Sequence, residues 1–227
     1  MQNNHKLSCV IAAFNEAPRI GGVLDIVTHH PLVDEVIVVN DGSRDNTEEV
    51  LRKRSDITVI SLEKNKGKSN AVREGIMRAT GDTIMLLDAD LGGLTEDAVT
   101  TLIDPVIKDQ ADITLSMRGN SLSIYKFLGL DFVSGERVFA KSLIKDLSDL
   151  GRLKGFGLES YIYRIIIEKK LRMCVVNWPH VMQARKQDKY GFWEGTLVEL
   201  HMMKQVVSFL GPVGMIKQFV QMSRLKQ

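Results

Sequence analysis

Four short apolar runs, alternating with helix-patterned stretches, fall within the first 91 residues and restrict the chain to very few folds. The runs cover residues 7–14, 36–39, 57–62 and 83–87 and are rich in Val and Ile. Between them, helical periodicity occupies about residues 19–28, the stretch after Asp45 or Thr47 up to about Lys53, and residues 69–80, which Gly81 is expected to close in a C′ position. Strands apolar on every side chain belong to a sheet covered on both faces, and strand–helix–strand alternation means parallel pairing through right-handed crossovers. The expected fold class is therefore α/β, Rossmann-like, with a mostly parallel central sheet flanked by helices. Ligands of such sheets bind beyond the carboxyl ends of the strands. That rule places residues 14–16, 40–43 and 88–90 along one rim.

The second half is less regular. A helix is expected near residues 95–108, a strand at 112–116, a loop region around 125–134, a helix near 158–168 and a strand at 172–177, followed by a long amphipathic tail from about Thr196. No internal repeat or low-complexity linker interrupts the chain, so one domain over residues 1–227 is expected, divided into 1–91, 92–195 and a helical tail over 196–227.

Hydrophobic residues make up 44% and charged residues 26%, an ordinary globular balance that excludes disordered and collagen-like classes. The net charge of +2 gives no reason to expect nucleic-acid binding. Cys9 and Cys174 sit in apolar runs without metal-ligand spacing, as small core residues of a reducing compartment would. With a polar N-terminus and apolar runs too short to span a bilayer, the expected location is the cytoplasm, including the inner face of its membrane.

Chemistry is expected first at Asp88 and Asp90, two carboxylates separated by Ala89 at the end of an apolar strand. Such oxygen donors suit Mg2+ or Mn2+, whose open positions take substrate phosphates and so stabilise a diphosphate leaving group. A strand end finished by solvated Asp residues is the alternative. Asp41 opens a turn with Gly42 and Ser43, where it either meets a ribose or base or makes an Asx-turn. Lys64, Lys66 and Lys68 flank Gly67 in the next loop, placed to meet a diphosphate or simply exposed.

Four segments taken together carry a more specific signal: VIAAFNEAPRI at 10–20, VIVVNDGSRDNT at 36–47, NKGKSNAVREGIMRATGD at 65–82 and LLDADL at 86–91. In order and spacing they resemble the family 2 glycosyltransferases of GT-A fold. The resemblance implies a nucleotide-sugar donor, UDP- or GDP-linked. It implies that Ala13, Phe14 and Glu16 line the nucleotide pocket, that Asp41 contacts base or ribose, and that Lys68 lies near the nucleotide. Asp88, with Ala89, would face the donor ribose or sugar and Asp90 the metal. The chain departs from the family where Asn40 precedes Asp41, since two acids are common there.

Downstream, SGERVFAK at 134–141 and GFGLESYIY at 155–163 resemble the acceptor side of polyprenyl-phosphate and phosphoglycerate sugar transferases. That similarity implies a hydroxyl or phosphate acceptor, either a small molecule or a lipid phosphate. It makes Glu159 the candidate acid that takes the acceptor proton, with Asp88 beside the reacting sugar and Gly135 and Glu136 lining the site. A helix-start acid stabilised by the macrodipole is the plainer reading of Glu159. His180 resembles the third metal ligand of some GT-A enzymes, or is a packed histidine beside Pro179. Arg185, Lys186 and Lys189 would clamp a diphosphate and residues 190–195 would close over it, or the segment is an ordinary charged loop. The tail packs on the domain or in a homodimer, or lies on an anionic membrane. Rival readings are a sugar-phosphate nucleotidyltransferase, which should carry a Gly-rich, Arg-containing loop where this chain has AAFNEA, and a non-catalytic nucleotide-binding scaffold.

Overall fold

The computed structural model describes residues 6–121, 125–126, 131, 134–144, 146–153 and 157–184. In chain order the elements are β1 (Leu7–Ala13), α1 (Ile20–Val27), β2 (Glu35–Asn40), α2 (Thr47–Arg52), β3 (Thr58–Ser61), α3 (Lys68–Arg78), β4 (Thr83–Asp88), β5 (Leu91–Gly92), α4 (Glu96–Ile107), β6 (Ile113–Arg118), β7 (Arg137–Ala140), α5 (Leu147–Arg152), α6 (Gly157–Lys169), β8 (Met173–Trp178) and β9 (Met182–Gln183).

Seven strands form one sheet in the order β3-β2-β1-β4-β7-β6-β8. The first four pair in parallel, as the alternation predicts. Both faces are buried, and the period-2 alternation of a strand sorts its side chains between them. Val10, Ile37, Val39, Ile84 and Leu86 join one apolar cluster with α3 and α6. Cys9, Ile11, Val36, Val38, Met85 and Leu87 join the other with α1 and α4. Each Val, Leu or Ile buried this way is worth about 1.5–3 kcal/mol relative to exposure, which is why strands apolar at every position are needed.

The second half adds to the expected pattern the strand β7, the short helix α5 and the two-residue strand β9. Between β4 and β6 lies β7, antiparallel to both. Periodicity gives no strand there because β7 is only four residues long and begins with the charged Arg137, which is fully buried. Since β7 runs backwards, its start lies at the rim where β1, β2, β4 and β6 end. The insertion carries residues 134–136 to that rim.

Gly81 does not close α3 in a left-handed C′ conformation: α3 ends at Arg78, and the capping residue Ala79 is already extended. Gly81 is needed for close approach instead, since a Cβ there would stand 2.4 Å from the Lys6 carbonyl oxygen and 2.5 Å from Ser8 Oγ. Arg185, Lys186, Lys189, the expected lid at 190–195, His201 and the tail from Thr196 lie outside the described residues. Among the described residues no helix is long and apolar enough to cross a membrane.

Candidate active site

The site is built where parallel strands end. β1 and β4 are neighbours whose connections leave in opposite directions, the arrangement that opens a crevice at the carboxyl edge of an α/β sheet. Asp88 is the last residue of β4, and Asp90 follows after Ala89. Both carboxylates are buried, at 7% and 5% exposure. Ala89 and Ala13 pack into the α1/α4-side core; their methyl groups serve the fold, leaving their backbone to the rim.

Lys68 opens α3 immediately after Gly67, which holds a φ of 91°. Its Nζ donates to Asp88 Oδ1 at 2.6 Å and stands 3.5 Å from Glu159 Oε1. Burial by itself would lower the ammonium pKa, but the charges of Asp88, Glu159 and Glu136 outweigh it and hold Lys68 well above its ordinary value. The lysine is therefore a fixed cation. Gly135 makes room for this pair: a Cβ there would lie 2.5 Å from both Asp88 Oδ1 and Lys68 Nζ. Glu159 stands in the first turn of α6 at 3% exposure, and its Oε2 is buried without a hydrogen-bond partner. A buried, unpaired carboxylate oxygen is costly, and such an oxygen is a ready proton acceptor.

Two further residues, which the sequence did not single out, complete the polar centre. Arg118 ends β6 at 4% exposure, and its guanidinium lies 3.4 Å from Glu136, 3.7 Å from Asp88 and 3.7 Å from Asp131. Burial opposes its charge, yet Glu136, Asp88, Asp131 and Asp90 raise its pKa above the usual arginine value. Fully buried Glu136 also accepts from Ser116 at 2.6 Å and Ser134 at 2.5 Å. Gln183, in β9, donates through Nε2 to Asp88 Oδ2 at 3.0 Å and Asp90 Oδ1 at 3.2 Å. Arg118 shows the signal that picked out Asp88, a charge at the end of an apolar strand. Gln183 sits in a two-residue strand with no periodicity to find.

Along the same rim, the β1–α1 and β2–α2 loops are tied together. Asn15, at a φ of 57°, donates its N–H to Ser43 Oγ at 3.0 Å and accepts from the Arg44 N–H at 2.8 Å. The N–H groups of Glu16 and Ala17 donate to Thr47 Oγ1 and Asp45 Oδ2. Glu16 is buried beside Arg19, 3.2 Å away, and Phe14 is half-buried. Asp41, 3% exposed, accepts from the N–H of Lys66 at 2.7 Å and of Gly67 at 2.8 Å, one on each oxygen. Its carboxylate thus holds the loop that delivers Lys68. Asn40, beside Asp41, donates to Glu48 at 2.6 Å.

His180 lies just beyond the end of β8. It is exposed in the turn between β8 and β9, where its carbonyl packs against Gly93, while Gln183 and Ala184 are the residues that face Leu91 and Asp90. Among the described residues no three His, Cys, Asp or Glu side chains form a metal cage. The donor set nonetheless fits Mg2+ or Mn2+, which take one or two protein carboxylates and fill their shell with water and phosphate oxygen. Asp88 is engaged by Lys68, which makes Asp90 the better-fitting ligand.

The glycosyl transferase family 2 model matches residues 8–124, which include β1 to β6 and the Asp88–Asp90 corner. The chain belongs to glycosyl transferase family 2. A curated family relative, the poly-β-1,6-N-acetyl-D-glucosamine synthase of Staphylococcus epidermidis, is 39% identical over 88 residues, 37% of this chain and 21% of that protein. The dolichyl-phosphate β-glucosyltransferase of Trichomonas vaginalis is 31% identical over 147 residues, 54% and 44% respectively. The chain thus spans less than half the length of these relatives. A solved glucosyl-3-phosphoglycerate synthase from Mycobacterium tuberculosis, in complex with Mn2+, UDP and glucosyl-3-phosphoglycerate, superposes with a TM-score of 0.64 at 24% identity, covering 80% of this chain and 72% of that one. The fold is accordingly the GT-A type that the motifs imply.

Proposed function

We propose that this family 2 chain transfers a sugar from a UDP- or GDP-linked donor to a hydroxyl or phosphate acceptor. The observation that carries the reading is the gathering of Asp88, Asp90, Lys68 and Glu159 at the carboxyl end of β4. Related structures that hold Mn2+ together with UDP support it, as does one that holds Mn2+, UDP-glucose and glycerol 3-phosphate.

In this reading Asp90 would hold a divalent ion, Mn2+ or Mg2+, which would supply positive charge to a diphosphate leaving group. The loops carrying Ala13, Phe14 and Glu16 form the nucleotide wall through their backbone and the Phe14 ring. Asp41 acts by fixing the Lys66–Gly67 turn so that Lys68 meets the donor side of the crevice. Asp88, clamped by Lys68 and Gln183, faces the donor sugar. With a hydroxyl acceptor and inversion at the sugar, the acceptor oxygen attacks the anomeric carbon, the bond from that carbon to the diphosphate oxygen breaks, and the hydroxyl proton passes to Glu159 Oε2; a transfer that retains configuration requires no such base. Lys68 Nζ stands 3.5 Å from Glu159 Oε1, on the oxygen away from the acceptor. Gly135 and Glu136 line the acceptor side, where Arg118 supplies positive charge for a phosphate-bearing acceptor.

The test is NMR observation of the donor's anomeric proton with UDP-glucose, GDP-mannose and related donors, each with Mn2+ and an acceptor panel of sugar-free phosphates and polyprenyl phosphates. Consumption of one donor that stops in Asp90→Ala is expected. Wild-type protein that consumes none of them, while Mn2+ and nucleotide bind, would favour a non-catalytic scaffold.

A further inference from the structure

Gln183 makes side-chain hydrogen bonds to Asp88, Asp90 and Arg118. Arg118 Nη1 donates to Gln183 Oε1 at 2.6 Å, while Gln183 Nε2 donates to Asp88 Oδ2 at 3.0 Å and Asp90 Oδ1 at 3.2 Å. A guanidinium has no acceptor and a carboxylate has no donor, so the amide can sit in one orientation only, oxygen toward Arg118 and nitrogen toward the aspartates. Each of the two N–H bonds of that nitrogen serves one carboxylate. The arrangement spans the residue between Asp88 and Asp90 with a neutral bridge, where a second cation would compete with a metal ion and an acid would repel both aspartates.

The backbone of Gln183 is equally constrained. Asn120 Nδ2 donates to the Gln183 carbonyl at 2.8 Å and Asn120 Oδ1 accepts from the Gln183 N–H at 3.2 Å. Gln183 also pairs with Leu91 across the β5–β9 ladder, and the Ala184 N–H donates to the Asp90 carbonyl at 3.1 Å. A side chain held at both ends, with its polarity dictated by a buried arginine, is built to orient what it touches.

We propose that Gln183 is a positioning residue that sets the angle of Asp90 toward the divalent ion and holds Asp88 and Asp90 at a fixed separation, with Arg118 dictating the direction of its amide. This rests on the donor-site reading above. Hydrogen-bond partners of metal-ligating groups fix ligand orientation, and their loss costs about 10–100-fold in metal affinity.

The experiment titrates Mn2+ into the full chain with UDP, and with GDP in parallel, following free Mn2+ by its EPR signal. Gln183→Met keeps the side-chain length and removes both donors. The expected result is Mn2+ affinity about 10–100-fold weaker, with metal-free nucleotide affinity unchanged and the ligand-free unfolding temperature lowered, since Arg118 loses a buried acceptor. Asn120→Ala, which loosens β9 without touching either carboxylate, is expected to weaken Mn2+ in the same direction and guards against a Gln183→Met chain that does not fold. Mn2+ affinity within twofold of wild type in whichever variant folds would overturn the inference and leave the donor site standing. A wild-type chain that takes up no Mn2+ with either nucleotide would overturn the donor site, and the inference with it.

Discussion

At Lys68 burial strips water from an ammonium group while Asp88, Glu159 and Glu136 supply compensating charge. Removing the cation leaves two buried carboxylates facing one another. Lys68→Met is therefore expected to cost about 1–2 kcal/mol of stability in urea unfolding, below the usual figure for a broken buried pair because the lysine side chain is 37% exposed and screened. It should also weaken nucleoside diphosphate binding by calorimetry. Glu159→Gln removes the proton acceptor and keeps the shape, so turnover should fall about 10²–10⁴-fold with donor affinity unchanged; unchanged turnover would assign Glu159 to the helix terminus alone. Gly135→Ala would push its methyl into the Lys68–Asp88 pair, 2.5 Å from each, so donor affinity should drop more than the unfolding temperature does. Asp88, Asp90, Lys68 and Glu159 were legible in the sequence because strand ends and motif spacing mark them. Gln183 was not, because only the fold brings residue 183 beside residues 88 and 90.

The elements that carry this site are positioned by close packing and by one carboxylate. α3 crosses β1 so tightly that a Cβ on Gly75 would lie 2.3 Å from Val10 Cγ1. Alanine would gain about 1 kcal/mol of helix propensity, against an overpacking cost of about 1–3 kcal/mol. Gly75→Ala should therefore lower the denaturant midpoint and shift Lys68 with its helix. Glu35, at the start of β2, accepts hydrogen bonds from Ser8, Thr80 and Gly81. Burial works against its ionised form, but these bonds prevail and hold its pKa below the ordinary carboxylate value. A carboxylate lowered in the folded state stabilises above its unfolded pKa, and that contribution disappears as pH falls through the folded value. The gap in urea midpoint between wild type and Glu35→Gln should be full near neutrality and close below about pH 4. A gap that widened with acid would contradict this assignment. The parallel strands β1, β2 and β4 were legible because their runs are mostly apolar on both faces, and the edge strand β3 by its Val59–Ile60 pair; β7 was not, because four residues with a buried arginine carry no strand signature.

Across the molecule, the direction of β7 gives the crevice its second wall. Four parallel strands bring the nucleotide loops and Asp88–Asp90 to one rim, and an antiparallel insertion returns Ser134, Gly135 and Glu136 to the same place. Sequence order placed the first set; the resemblance implied Gly135 and Glu136 in the second, and the antiparallel run of β7 supplies the physical reason. His180 follows the expected strand and is exposed in the β8–β9 turn, and β9 pairs Gln183 with Leu91 beside the aspartates. The most direct measurement is the unfolding temperature against UDP, GDP and other nucleoside diphosphates, with and without Mn2+, for wild type and Asp90→Ala, since a ligand that binds only the folded chain raises it. A rise with one nucleotide that requires Mn2+ and vanishes in Asp90→Ala is the predicted result; no rise with any nucleotide, or a rise that Asp90→Ala retains in full, would contradict a metal-held donor at this rim.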